Sequence, residues 1–281
     1  MNKTLMMNNP IAETVIKRDR MIVTIGLSAV VFVAASYTIN TAQSYDRVLD
    51  LILSICVGGN QTWTYTDLMN NPMFEHTGHI HNGFLSLFGM WTVMQIAMMS
   101  PTAVPMILMH VKVQRNRHPS ETPYLQTVLF FLGYIIVWAG FSAAIAGVQL
   151  YLQSTSLLTP QMAFVSPWLA GGSLIAAGLF QFSKLKEVCL NGCRSPVTYF
   201  MTEWREGDFG ALVMGLKHGW HCVGCCWVLM ALLFAAGVMN LLWMAVITVF
   251  VLLEKVLHNG KTFGQIGGVV MIIWGVALMA L

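Results

Sequence analysis

Apolar residues arrive in long unbroken blocks, and the polar residues between them come in short ones. The blocks run over residues 21–39, 83–110, 124–150, 163–182, 219–238, 241–256 and 265–281. Each is near or above the ~17 residues a helix needs to cross hydrocarbon. The pattern predicts an all-α, polytopic transmembrane helical bundle of about seven spans. Between the fifth and sixth blocks only Gly237, Met239 and Asn240 signal a turn. Should those blocks form one span and a surface helix, the count is about six.

The basic residues set an expected orientation. Lys3, Lys17, Arg18 and Arg20 precede the first block, and Lys112, Arg115 and Arg117 follow the second. Lys184, Lys186, Arg194, Arg205 and Lys217 fill the stretch after the fourth, and Lys255 and Lys261 the last connection, while the alternate loops carry Arg47 and several acids. Lys and Arg collect on the cytosolic side, so the amino end is expected inside and the carboxyl end outside. Residues 1–20 then form a cytosolic segment, and residues 21–281 a single transmembrane domain with an outer loop at 40–82. The first block reads as an uncleaved helix, because its apolar run is longer than a usual signal core.

Composition agrees with this picture. Apolar residues are 56% of the chain and charged residues 10%, well below the roughly one quarter of a soluble domain. Membrane lipids are therefore the expected surroundings. A formal charge of +3 with no basic stripe argues against nucleic acid as a partner. Of the six cysteines, five fall in two short segments beside basic loops, which points to metal binding or packing rather than crosslinking.

Three groups of residues carry candidate chemistry. The first is KHGWHCVGCC, residues 217–226, expected at the cytosolic mouth of a helix beginning near Gly219. At about 100° per residue, Met214, His218, His221, Cys222 and Cys225 share one face, with Cys226 farther round. Imidazole and thiolate suit copper or zinc, and polar groups are costly inside a membrane segment. Cys189 and Cys193, read as part of a short loop over that mouth, would supply further ligands. The same residues read as packing would be small buried hydrophobes and interfacial histidines.

The second group is Glu75, His76, His79 and His81 in the outer loop, whose spacing lets three imidazoles reach one ion without regular structure. It could equally be a solvated or pH-responsive linker. The third is Met90, Met94 and Met98, at i, i+4 and i+8, a thioether stripe of the kind that favours Cu(I). With 20 methionines in the chain, helix packing explains it as well. Glu254 beside Lys255 reads as a helix-end ion pair. Phosphate-cradling, nucleophile-elbow and zinc-protease motifs are absent, and nothing marks an enzyme acting on its own.

The stretches MWTVMQIAMMSP (90–101), CLNGCRSP (189–196) and GWHCVGCCWVLM with GVMNLLWMA and EK (219–255) resemble signatures of an uncharacterised bacterial family of predicted metal-binding integral membrane proteins (domain of unknown function 2182). The resemblance runs from about residue 83 to the carboxyl end; the amino-terminal region and outer loop match less well. It implies the bacterial inner (cytoplasmic) membrane and marks His221, Cys222, Cys225, Cys226, Cys189 and Cys193 as family-like. Three readings follow: a copper-binding protein that captures, transfers or translocates the ion, a metal-bearing subunit of a membrane copper-dependent monooxygenase or oxidase, or a structural subunit whose 24 glycines pack against other membrane subunits.

Overall fold

The computed structural model describes residues 18, 21–29, 31–39, 83–118, 122–159, 162–257 and 259–280, and these are all helix and connecting turn apart from one isolated bridge between Leu158 and Phe164. The helices are α1 (Met21–Ile39), α2 (Phe84–Arg117), α3 (Tyr124–Ser154), α4 (Pro167–Phe180), α5 (Lys184–Arg194), α6 (Pro196–Thr202), α7 (Gly207–Ala231), α8 (Leu233–Ala236), α9 (Leu241–Val256) and α10 (Gly260–Ala280).

Among the described residues five stretches are long and apolar enough to cross a membrane: α1, α2, α3, the run α7–α8 and α10. The expected block 163–182 yields a helix of 14 residues and 241–256 one of 16. At 1.5 Å per residue these reach only roughly 21 and 24 Å, short of a ~30 Å hydrocarbon layer. The fifth block also differs. Its helix begins at Gly207 rather than near Gly219: Asp208 in the first turn suits the helix dipole, and close packing of Leu212 and Gly215 on α3 holds the added turns despite their glycines. The segment 217–226 is therefore mid-helix, not at a helix mouth.

Local signals explain several boundaries. Ser166 caps α4 by accepting from Trp168 N–H, with Pro167 at the first turn, and Ser183 caps α5 by accepting from Lys186 N–H. Gly237, at φ +97°, and Asn240, whose side chain accepts from Trp243 N–H at 3.1 Å, separate α8 from α9 where the sequence signalled a turn. The long helices are apolar all round. Leu125, Val128, Leu132 and Ile136 of α3 and Ile266, Val269, Val270 and Ile273 of α10 stay exposed, as lipid-facing positions do. Helix α5 is the amphipathic one, burying Lys186, Cys189, Leu190 and Cys193 at helical spacing.

Two helix pairs pack backbone against backbone. In α4 and α10, a Cβ added at Gly171 would lie 2.6 Å from the Gly275 carbonyl oxygen, and one at Gly178 2.6 Å from that of Gly268. In α3 and α7, Gly133 faces the Leu212 carbonyl and Gly215 the Phe130 carbonyl. Small residues at such contacts let helices approach where burial alone gives no drive in lipid.

The charges near the end of α9 do not pair with each other as the sequence suggested. Successive residues point about 100° apart on a helix, so Glu254 turns to α5 and meets Lys186 at 2.7 Å, with Gln181 also accepting from Lys186. Lys255 turns the other way, into the bundle. Both members of the Lys186–Glu254 pair are buried. Lys186→Met is expected to cost about 3–5 kcal/mol by leaving a buried carboxylate alone. Thermal unfolding in detergent should show the loss, and adding Glu254→Gln should recover most of it.

Candidate metal centre

Helix α5 lies against α7, and this contact brings the cysteines together. Cys189 and Cys193 sit one turn apart on the buried face of α5, on a helix rather than in the loop expected from the sequence. The Cys189 sulfur fills the space over Gly224 of α7, where an added Cβ would lie 2.6 Å from it. Cys193 lies against Cys222 and Cys225, and Cys226 against Cys222. Burial holds the Cys189 thiol above its usual range, and hydrogen bonding to Cys222 and Cys225, followed by burial, does the same for Cys193. All five of these cysteines are free and buried.

Cys222 is the hub. Its sulfur is 3.0 Å from Lys255 Nζ of α9 and 3.3 Å from the Tyr134 hydroxyl of α3. Lys255 also donates to Thr102 Oγ1 of α2 at 2.9 Å, and Tyr134 donates to the Met99 carbonyl of α2 at 3.1 Å. Cys225 and Cys226 instead donate back along their own helix to the Cys222 carbonyl, at 3.1 and 2.9 Å, as hydroxyls do in membrane helices. Consequently no group of three or more His, Cys, Asp or Glu side chains among the described residues stands in ready-made ligand geometry. The thiols are neighbours, turned away from a common centre.

The remaining predicted residues are placed as follows. His218 is buried between the rings of Phe130 and Tyr134, 5.9 and 5.5 Å away, with Tyr199 edge-on, and its Nδ1 has no partner. Tertiary stacking turns its ring to the aromatic side chains, while Cys222 and Lys255 stay near enough for their charges to reach it. The Met214 sulfur accepts from Arg205 N–H, so it too faces elsewhere. His221 is half-buried; its Nδ1 is 2.7 Å from the Lys217 carbonyl, and its ring lies against Gly192 of α5, beside the cysteines. A backbone partner on Nδ1 leaves Nε2 as the available lone pair. Met90, Met94 and Met98 are all buried within the bundle, not lipid-facing. Continuing their i+4 spacing by one turn reaches Thr102, the partner of Lys255. His76, His79 and His81, with Glu75, lie outside the described residues.

Sequence reasoning overlooked Tyr134, Thr102 and, above all, Lys255. The available signal was a lysine at the penultimate position of an apolar helix, for which a partner inside the bundle is the default question. The donor set, thiol first with thioether and imidazole nearby, suits Cu(I) better than harder ions.

The family model of PpoB2, described as a copper chaperone, matches residues 88–278. No curated protein and no solved structure matches the chain.

Proposed function

The chain belongs to the PpoB2 copper-chaperone family, and from that premise we propose that it is a membrane-embedded copper carrier that takes Cu(I) on the thiols gathered between α5 and α7 and hands it on. The observation carrying this reading is that Cys193, Cys222, Cys225 and Cys226, four soft donors from two helices, are buried next to one another. Copper is cargo here. Rotation of Cys225 and Cys226 away from the Cys222 carbonyl would turn their sulfurs toward it, and His221 Nε2 stands at the edge of the group. The buried stripe of Met90, Met94 and Met98 supplies thioethers leading toward Thr102, and His76, His79 and His81 would form the outer capture point. We place the protein in the bacterial cytoplasmic membrane with its amino end inside, and take the family of predicted metal-binding membrane proteins suggested by its motifs to be this same family.

Gly171, Gly178, Gly268 and Gly275 are engaged inside the chain, whereas Gly89, Gly140 and Gly147 border open space, so the carrier reading rests on the thiols. Elemental analysis of protein purified anaerobically in detergent tests it. Copper at about one ion per chain is expected from a single donor group. Zinc in its place, or no metal after incubation with buffered Cu(I), would overturn the reading.

A further inference from the structure

Lys255 has no role in the proposal above, yet it occupies the point where the site would form. It is buried, on α9, and its chain neighbour Glu254 is committed to Lys186. Its contacts are Thr102 Oγ1 at 2.9 Å and Cys222 Sγ at 3.0 Å. The thiols of Cys222, Cys225, Cys193 and Cys226 lie closest to its charge, and Glu254, Tyr134 and His218 are also within its reach. A buried ammonium is expensive without an electron-rich partner, and here the sulfur cluster supplies it. A cation is therefore already built into the thiol group.

We propose that Lys255 is the resident cation of this site, holding the position that Cu(I) takes, so that loading requires the ammonium to withdraw from Cys222. This rests on the copper reading. Two positive charges sharing one sulfur in a low-dielectric interior repel strongly, so ion and ammonium compete. Copper takes sulfur as thiolate, so each thiol that joins it releases its proton, while the ammonium stays protonated and gives up only its hydrogen bond to Cys222; no electron moves. Thr102, one turn beyond Met98, gives the ammonium its second acceptor and links the end of the methionine stripe to the site. The device lowers affinity in a controlled way, as a protein that must release its cargo requires, and it keeps the free thiols grouped around a positive charge when copper is absent.

The test is Cu(I) affinity of the full-length protein in detergent, measured by competition with a chromophoric Cu(I) chelator. Lys255→Met is expected to bind about tenfold more tightly than the parent protein, because the competitor is gone. Lys255→Arg, which keeps the charge, should stay close to the parent value. Equal or weaker binding by Lys255→Met overturns the inference. Should Lys255→Met fail to accumulate, Thr102→Val decides instead: it removes one acceptor, and a gain of about threefold is expected, with no gain counting against the idea. Cys222→Ser in the same assay separates the two claims. If it binds like the parent, the thiol site itself is wrong, whereas loss in Cys222→Ser with no gain in Lys255→Met removes only the role of the lysine.

Discussion

Replacing Cys222 and Cys225 together by Ser is expected to weaken Cu(I) binding by more than about 100-fold, near 3 kcal/mol, while leaving the bundle folded. Serine keeps the size of cysteine and its hydroxyl can still donate to the Cys222-position carbonyl, as Cys225 does now. It also leaves Tyr134 and Lys255 with an acceptor in place of the sulfur. What disappears is softness, and a hydroxyl oxygen is a poor match for Cu(I). A thermal midpoint close to that of the parent protein would show that the fold survives, and chelator competition would read the affinity. Unchanged affinity in a folded double variant removes the α5–α7 site from any account of copper handling. The companion variant Cys193→Ser should cost less, since it takes one sulfur from the edge while the hub at Cys222 remains.

How much of this was readable beforehand follows from which interactions are local. The helices were legible because hydrophobic blocks of membrane length have few alternatives, and the turn before α9 because Gly237 and Asn240 are short-range signals. The start of α7 was not, because the hydropathy of 207–218 is mixed and what holds that turn of helix is packing against α3. The same applies to α5. C-x₃-C with basic neighbours looks like a loop until its buried face, Lys186, Cys189, Leu190 and Cys193, meets a partner.

Within the site, the periodicity of a single helix puts Cys222 and Cys225 on one buried face of α7, but it could not say what stood opposite. Met214 and His218 share that arc and are drawn off by Arg205 and by the rings of Phe130 and Tyr134. Lys255 is 33 positions along the chain from Cys222 and appears in the site only because α9 folds back across α2 and α7. Its neighbour Glu254 offered a simpler partner, and helix geometry overrode it.

The second large effect concerns a residue with no chemistry at all. Gly215→Val is expected to destabilise the protein by more than about 4 kcal/mol and to keep most of it from accumulating, a size reserved for changes the surroundings cannot absorb. Any Cβ at this position would fall on the Phe130 carbonyl of α3, and a backbone carbonyl within a helix cannot rotate aside as a side chain can. The neighbouring Gly133 blocks the obvious escape, since it already abuts the Leu212 carbonyl. Gly140→Ala is the matched control, because open space surrounds that glycine and the change should be neutral or gain up to about 1 kcal/mol from helix propensity. The consequence reaches the metal centre. Tyr134 on α3 meets Cys222 on α7 only while the two helices stay in this contact, so prying them apart moves the hydroxyl off the sulfur and loosens the link to Met99. Any Gly215→Ala protein that folds should therefore bind Cu(I) more weakly than Gly140→Ala, although neither change touches a thiol. Equal stability and equal affinity in those two variants would show that α3 and α7 are not held backbone to backbone.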